Sequence, residues 1–374
     1  MTVGFESPLP PARTGVADYS AALLGALRKR GTVEVSPRRA DIRLYHLGNN
    51  QLHRDIYRHA VAEPGVAVLH DVILQHLFLG SLNESAYIEE FIYNYGEWHR
   101  NLARELWRER ASSGANHRYF KYPMLRRIAE RSRAIVVHNP AAARLVLEHA
   151  TAARVIEIPL LFAPPPLPAD SEALRFRQTL GLTARTFLFG VFGYLRESKR
   201  IMNILRAFDE IHRRAPHTAL LLAGEFGSSD LERAVKPLLD RPGIRRLGYL
   251  AEREFWIAAS AIDLCINLRF PTAGETSAIC IQMMGLGKPV MLTAGEETSR
   301  FPETACLRIE PGVAETASLT EHGILTALFP QTSREIGRRG AEHVHLHHSL
   351  ERAAEQYWDT LCACAASFQS SAVV

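Results

Sequence analysis

Short apolar runs alternate with amphipathic helical stretches along almost the whole chain, and this alternation restricts the fold more than any other feature. The runs are rich in β-branched and aromatic residues and lack polar alternation, which is typical of strands buried on both faces of a parallel sheet. Repeated strand-then-helix units predict an α/β fold of doubly wound sheets with helices on both faces. The predicted strands cover residues 3–5, 42–46, 66–70, 134–138, 155–158, 187–192, 219–223, 264–268 and 289–293.

A proline-rich segment divides the chain near its middle. At 374 residues the chain is too long for one ordinary hydrophobic core, so two domains are expected. The run PLLFAPPPLP at 159–168 predicts a stiff linker, because proline cannot sit inside a helix or a central strand. We therefore predict two facing Rossmann-like domains with a cleft between them, at 1–165 (with a helical insertion at 81–130) and at 166–345. Residues 346–374 are predicted to form a C-terminal helix that packs back on the N-terminal domain, and a tail.

Composition sets the broad class of the protein. Apolar residues make up 47% of the chain and charged residues 22%, as in soluble globular proteins. No run reaches the roughly 18 apolar residues of a membrane span, and the N-terminus lacks a signal-peptide pattern, so a cytoplasmic protein is expected. The five scattered cysteines predict apolar fillers in a reducing compartment. The net charge of +4 is too small for a nucleic-acid-binding surface. It suits an anionic ligand or peripheral attachment to the inner face of the membrane, and a solvated helical surface explains it equally well.

The strongest local signal is LRFPTAGETS at 268–277, between a predicted strand and a predicted helix. Thr276 or Ser277 is a plausible N-cap, and the free N–H groups of a helix N-terminus suit a diphosphate. Glu275 would repel phosphate, so its carboxylate fits vicinal hydroxyl groups better. A purely electrostatic helix cap is the alternative interpretation of Glu275.

A second signal is GYLRESKR at 193–200, where Gly193 permits a tight turn. Arg196, Lys199 and Arg200 place three cations beside a helix start, where a bound anion would relieve their conflict with the helix dipole. A solvated basic turn remains the alternative.

Two weaker signals lie in the first half of the chain. In PLPPARTGVAD at 8–18, Thr14 and Gly15 open a helix and Arg13 adds a charge. His70, followed by Asp71, ends a predicted strand, although a lone histidine is more often a packed structural residue. Neither a GxGxxG fingerprint nor a P-loop is present. A histidine cluster near the end of the chain lacks the accompanying pattern of a metal site, so we expect none: His343, His345, His347 and His348.

Four segments, in the same order, resemble the GT-B-fold retaining glycosyltransferases of family 4 (glycosyl transferases group 1). PLPPARTGVADYS is similar to the family's N-terminal glycine loop, and GYLRESKR to its phosphate-binding turn. HLGNNQLHRDIY with PGVAVLHDVILQHL is similar to a bacterial subgroup, and LRFPTAGETSAICIQMMGLGKPV to the C-terminal donor motif. The turn departs from the family in having Tyr194 where arginine is usual, and Gln282 stands where the family has a second acidic residue.

The resemblance implies transfer of a sugar from a nucleoside diphosphate sugar, with retention, to a saccharide or lipid-linked glycan hydroxyl, without metal or other cofactor and without nucleic acid. It implies His70 and Glu275 as catalytic residues. The implied donor-binding residues are Gly15, Gly193, Arg196, Lys199, Glu275, Thr276, Ser277 and Gln282. The alternatives are a catalytically weak sugar-nucleotide-binding partner subunit and a sugar-nucleotide epimerase. The insertion at 81–130, rich in aromatic and basic residues, is expected on the acceptor side, although half of its aromatics could be core residues.

Overall fold

The computed structural model describes residues 1–12, 14–114 and 116–371, with side chains described as far as residue 366. The chain forms two compact units. Unit 1 comprises Met1–Ala163, Pro271–Thr276 and His348–Val374, and unit 2 comprises Pro164–Phe270 and Ser277–His347. The first break lies inside the proline-rich segment. The short loop Pro271–Thr276 belongs to unit 1 although its neighbours in the chain belong to unit 2.

Unit 1 is built on a parallel six-stranded sheet. Its strands are β1 (Thr2–Glu6), β2 (Thr32–Val35), β3 (Ile42–Leu47), β4 (Val66–Leu69), β5 (Ala134–Val137) and β6 (Val155–Glu157), in the order β2-β1-β3-β4-β5-β6. Its α-helices before the linker are α1 (Gly15–Arg28), α2 (Arg54–Ala62), α3 (Gln75–Ser81), α4 (Glu84–Tyr95), α5 (Arg100–Arg108), α6 (Arg126–Arg131) and α7 (Pro140–His149).

Unit 2 repeats the plan with a second parallel six-stranded sheet. Its strands are β7 (Phe187–Phe192), β8 (Thr218–Ala223), β9 (Ile244–Leu247), β10 (Leu264–Asn267), β11 (Val290–Thr293) and β12 (Leu307–Ile309), in the order β12-β11-β10-β7-β8-β9. Its α-helices are α8 (Asp170–Thr179), α9 (Ile201–Arg214), α10 (Ser229–Leu239), α11 (Glu252–Ala261), α12 (Ala278–Gly285), α13 (Glu315–Leu328) and α14 (Pro330–His347).

The last helix, α15 (Leu350–Ser371), belongs to unit 1 and packs against α1. The hydroxyls of Tyr19 on α1 and Tyr357 on α15 are 2.9 Å apart, and both side chains are buried. The ring of Trp358 lies close to Gly31, where a Cβ atom would approach it to 2.3 Å. α15 therefore packs along α1, from Tyr19 in its second turn to Gly31 beyond its last residue. No helix of the described residues is both long enough and apolar enough to cross a bilayer.

Each sheet contains one point where the strand order reverses direction. In unit 1 the reversal lies between β1 and β3, because the chain runs from β1 to β2 on one side of β1 and then returns to β3 on its opposite side. In unit 2 it lies at β7 and β10, since the chain runs from β7 to β8 and β9 and then returns to β10 on the opposite side. Loops at the carboxyl ends of strands at such a reversal are where α/β sheets bind ligands.

The helical insertion has aromatic residues both in the core and on the surface. Tyr87, Trp107 and Tyr119 are buried and form part of the unit 1 core. Trp98, in contrast, is 99% exposed. As expected for part of the aromatic residues of the insertion, these three are core residues.

Candidate functional site

The turn after β7 holds a buried lysine at the reversal point of the unit 2 sheet. Gly193 has a φ of +77°, and a Cβ atom there would lie 3.1 Å from Lys199 Nζ. Lys199 is only 6% exposed and donates a hydrogen bond to the carbonyl of Phe192, the last residue of β7. The tight turn thus folds an ammonium group back over the carboxyl end of a central strand. Burying such a charge is unfavourable unless partners or a ligand compensate for it.

The other residues of this turn differ in their exposure. Arg196 is exposed, and its guanidinium carbon lies 5.6 Å from the ring centre of the exposed Tyr194. Tyr194 therefore brings no positive charge to this turn, and its ring lies beside the guanidinium of Arg196.

Arg200 separates a short helical turn from the helix that follows it. It has a φ of +60°, between a short 3-10 turn at Glu197–Lys199 and the start of α9. Its Nε donates to both carboxylate oxygens of Glu315, at 2.8 and 3.1 Å. Glu315 is 1% exposed and also accepts from Asn203 Nδ2 at 2.6 Å. Glu315, in the first turn of α13, therefore holds the Arg200 guanidinium through its Nε atom.

The loop after β10 is tied directly to the loop after β7. The amide of Phe270 donates to the carbonyl of Ser198 at 2.7 Å. Ser277 caps α12, because its Oγ accepts from the amide of Cys280, and Arg269 donates to the same Oγ at 3.2 Å. Gln282 lies on the second turn of α12 and is partly buried. The GYLRESKR turn thus meets the parts of LRFPTAGETS that belong to unit 2, residues 268–270 and Ser277, at the same edge of the unit 2 sheet.

The loop Pro271–Thr276 packs within unit 1. Gly274 has a φ of +71°, and a Cβ atom there would lie 2.1 Å from Val72 Cγ2, so only glycine fits. Asn139 Nδ2 donates to the carbonyl of Gly274 at 2.9 Å and to Thr276 Oγ1 at 3.0 Å. The carboxylate of Glu275 accepts from the amide of Ala273 at 2.8 Å. Glu275 therefore stabilises its own loop.

Three histidines form a row at the carboxyl ends of β3, β4 and β5. His46 lies in β3, and His70 and His138 directly follow β4 and β5. His46 Nδ1 is 3.0 Å from His70 Nε2, and His70 Nδ1 is 3.2 Å from His138 Nε2. His138 Nδ1 is 2.8 Å from the carbonyl oxygen of Ile158. Both ring nitrogens of His70 are therefore used inside unit 1.

The pKa values of the three rings are lowered. Burial is the main cause for His46 and His70, whose pKa values lie well below the usual range, and the neighbouring histidines add to it. Burial lowers the pKa of His138 to about 4, although the carbonyl of Ile158 acts in the opposite direction. Tyr19 packs over the row, with its ring centre 4.9 Å from that of His70. The row is therefore uncharged at neutral pH.

The N-terminal loop follows β1 at the reversal point of the unit 1 sheet. Thr14 is the N-cap of α1, with its Oγ1 accepting from the amide of Ala17 at 3.1 Å. A Cβ atom at Gly15 would meet nothing within 4 Å, so the space beside the start of α1 is open. Arg13 lies outside the described residues.

The predicted site residues divide between the units. Gly15, His70, Glu275 and Thr276 are in unit 1. Unit 2 holds the others: Gly193, Arg196, Lys199, Ser277 and Gln282. Sequence reasoning did not single out His46, His138, Asn139 or Glu315. His46 and His138 carried a signal nonetheless, because they end two predicted strands just as His70 does. Among the described residues, no group of three or more His, Cys, Asp or Glu side chains is arranged to hold a metal ion.

Solved structures of similar fold cover nearly the whole chain. HepE from Anabaena, solved with UDP-glucose, superposes with a TM-score of 0.67 at 16% identity, over 97% of this chain and 100% of its own. Sucrose-phosphate synthase from Thermosynechococcus elongatus gives 0.68 at 16% identity, over 98% and 99%. WaaG, a glycosyltransferase involved in lipopolysaccharide biosynthesis, gives 0.63 at 14% identity, over 95% and 99%. The predicted GT-B fold class is confirmed. No family model matches the sequence, and no curated protein matches it significantly.

Proposed function

We propose that the protein is a retaining glycosyltransferase that moves a sugar from a nucleoside diphosphate sugar to a hydroxyl of a saccharide or a lipid-linked glycan. The observation that carries the proposal is the convergence of two motifs at the reversal point of unit 2. There the buried Lys199 and the Ser277-capped start of α12 follow neighbouring strands of one sheet. A buried cation beside a helix N-terminus is the chemistry that a diphosphate needs.

The proposed mechanism places positive groups at the leaving diphosphate. Negative charge grows on that group in the transition state while the sugar becomes oxocarbenium-like. Lys199, Arg196 and the amides at Thr276 and Ser277 would stabilise the leaving group without a metal ion. Glu275 would accept hydrogen bonds from donor hydroxyls, and His70 would face the transferred sugar.

Three further features of the proposal come from sequence and from the comparisons. UDP is the first nucleotide to test, because HepE was solved with UDP-glucose. The acceptor would contact the helical insertion, whose exposed Trp98 offers a face for stacking on sugars. A cytoplasmic location, with peripheral attachment to the inner membrane face, would suit a lipid-linked acceptor.

Replacing Lys199 by methionine tests the donor site, since it removes the charge and keeps most of the buried volume. Lost charge-assisted hydrogen bonds cost about 1.5–3 kcal/mol, so we expect UDP affinity to fall by roughly ten- to a hundredfold. Isothermal titration with UDP measures the affinity. Lys236→Ala, at an exposed site on α10, is the control and should bind as the wild type does. Unchanged affinity in a folded Lys199→Met variant would remove Lys199 from the site.

A sugar-nucleotide-binding partner subunit is a second candidate, favoured by Tyr194 and Gln282 at positions where the resembling family carries charge. UDP-glucose binding without release of UDP, for any acceptor in a panel of saccharides and lipid-linked glycans, would support it over the enzyme.

A further inference from the structure

The backbone carbonyl of Ile158 determines which nitrogen of each histidine in the row donates and which accepts a hydrogen bond. The carbonyl of Ile158 can only accept a hydrogen bond, so the nitrogen 2.8 Å away, His138 Nδ1, carries the proton. Neutral imidazole has one donor and one acceptor nitrogen, and His138 Nε2 is therefore an acceptor. His70 Nδ1 must then donate to it across 3.2 Å.

The same rule applies to His70, the next ring in the row. With its Nδ1 protonated, neutral His70 is an acceptor at Nε2, and His46 Nδ1 donates to it across 3.0 Å. His46 Nε2 is left as an acceptor. It is buried and has no hydrogen-bond partner among the described residues. All three rings thus hold their proton on Nδ1, although free neutral histidine does not impose this choice.

The row ends on a group that cannot pass a proton onward. A peptide carbonyl does not become protonated near neutral pH, so a proton that entered at His46 could travel no further than His138. The row is therefore not a proton wire. Its effect is to hold His70 in one orientation, in one tautomer and without charge.

We propose that His46 and His138 are positioning residues that fix His70 as the neutral Nδ1–H tautomer. The functional part of this inference rests on the proposed function. A neutral ring beside an oxocarbenium-like sugar avoids the repulsion that an imidazolium ion would add to the transition state. His138 is the anchor, because its bond to Ile158 sets every later one.

The titratable groups around His70 come from several elements of unit 1. Tyr19 of α1, His46 of β3, His53 beyond β3 and His138 after β5 contact the His70 ring or act on its pKa, and Tyr357 of α15 contacts Tyr19 and His46. The carboxylate of Asp71, the next residue in the chain, accepts from the amide of Asn49 at 2.8 Å. Burial raises the pKa values of both tyrosines, so they stay uncharged at neutral pH. Neither the two tyrosines nor the neighbouring histidines offer a negative charge that would favour an imidazolium ion at His70.

The direct test is the ¹⁵N spectrum of the full chain labelled at histidine, because imidazole ¹⁵N shifts distinguish the two neutral tautomers and the cation. Wild type at pH 7.5 should show Nδ1–H for His46, His70 and His138. A His138→Gln amide can donate to Ile158 and accept from His70, so His70 should keep its tautomer. His138→Leu can do neither, and His70 should then show Nε2–H or a mixture. His70 as Nε2–H in the wild type, or unchanged in His138→Leu, would overturn the proposal.

Turnover of UDP-glucose supplies the second measurement. We expect kcat to fall between about 10-fold and 100-fold in His138→Leu, with a smaller change in KM, and to recover largely in His138→Gln. His59→Gln, at an exposed site on α2, is the control and should match the wild type. Equal kcat in His138→Leu and His138→Gln, despite different His70 tautomers, would contradict the positioning role. Absence of turnover in every variant, with the expected spectra, would reject the proposed function and leave the tautomer assignment intact.

Discussion

Arg200 is an arginine in a backbone conformation that favours glycine. Its φ of +60° costs about 1–2 kcal/mol for a residue with a Cβ atom. Glu315, buried at the first turn of α13, holds the side chain by accepting two contacts from Nε. Arg200 follows Lys199 directly, at the turn where the diphosphate is proposed to bind. The ion pair between α9 and α13 thus orients a second cation next to the buried lysine.

Replacing Arg200 by glycine separates a structural role from a binding role. Glycine relieves the strain at φ +60°, so the turn should keep its shape, although Glu315 loses an ion-pair partner. We expect UDP affinity to fall about tenfold, the equivalent of one charge-assisted hydrogen bond. Titration calorimetry measures this, with Arg206→Ala, exposed on α9, as the control. Wild-type affinity in Arg200→Gly would show that the arginine serves only the contact between α9 and α13.

Among the secondary elements, burial decided which strands could be predicted. The nine predicted strands are present, with ends that shift by at most one residue, and all except the edge strand β6 are largely buried. The missed strands β2, β9 and β12 have the sequences TVEV, IRRL and LRI, and each lies at the edge of a sheet. An edge strand is short and partly solvated, so it lacks the continuous apolar run that marks a central strand. Tertiary pairing, rather than local sequence, made these segments strands.

The contact between α1 and α15 depends on two hydroxyls that satisfy each other. Tyr19→Phe or Tyr357→Phe leaves one buried hydroxyl without its partner, at a cost of about 1–3 kcal/mol. The double variant removes both groups, so we expect it to be no less stable than either single variant. Urea unfolding of the four proteins, followed by tyrosine and tryptophan fluorescence, gives the coupling free energy. Strictly additive losses would mean that the hydroxyls do not depend on each other.

On the scale of the whole molecule, the chain forms two α/β units of the same plan, and among the described residues only unit 1 has a row of largely buried, neutral histidines along its sheet. Folded His46, His70 and His138 resist protonation, whereas in the unfolded chain they titrate near pH 6.5. Between the lowered folded pKa values and about pH 6.5, the unfolded state binds more protons. The stability that the three neutral histidines contribute is therefore fully present above about pH 6.5 and decreases as the pH falls.

Unit 1 should consequently lose stability in mild acid before unit 2 does. We expect the free energy of opening to fall by about 1.4 kcal/mol per pH unit for each such histidine, beginning near pH 6.5. For His138 the decrease should continue to about pH 4. Hydrogen exchange with mass spectrometry at pH 7.5 and 5.5, corrected for intrinsic rates, measures opening in β4 and β5, and peptides of β7 and β8 serve as the internal control. His138→Gln should reduce the pH dependence in β4 and β5. Equal losses of opening free energy in both units would contradict the attribution of this pH dependence to the three histidines.

The sequence by itself determined the two α/β halves, the central strands and the two motifs of the second half, because each depends on local patterns: β-branched apolar runs, a turn glycine, a helix cap. It also singled out Lys199 and Ser277, which lie in the loops after β7 and β10. Only the tertiary structure decided that Glu315 reaches Arg200, that Asn139 binds the loop of Glu275, and that His46 and His138 enclose His70. These partners lie from 24 to 137 residues apart in the chain, and no local pattern links them; parallel strands and packed helices bring them together. His70 was predicted as a single histidine at the end of a strand, and the fold makes it the middle of three.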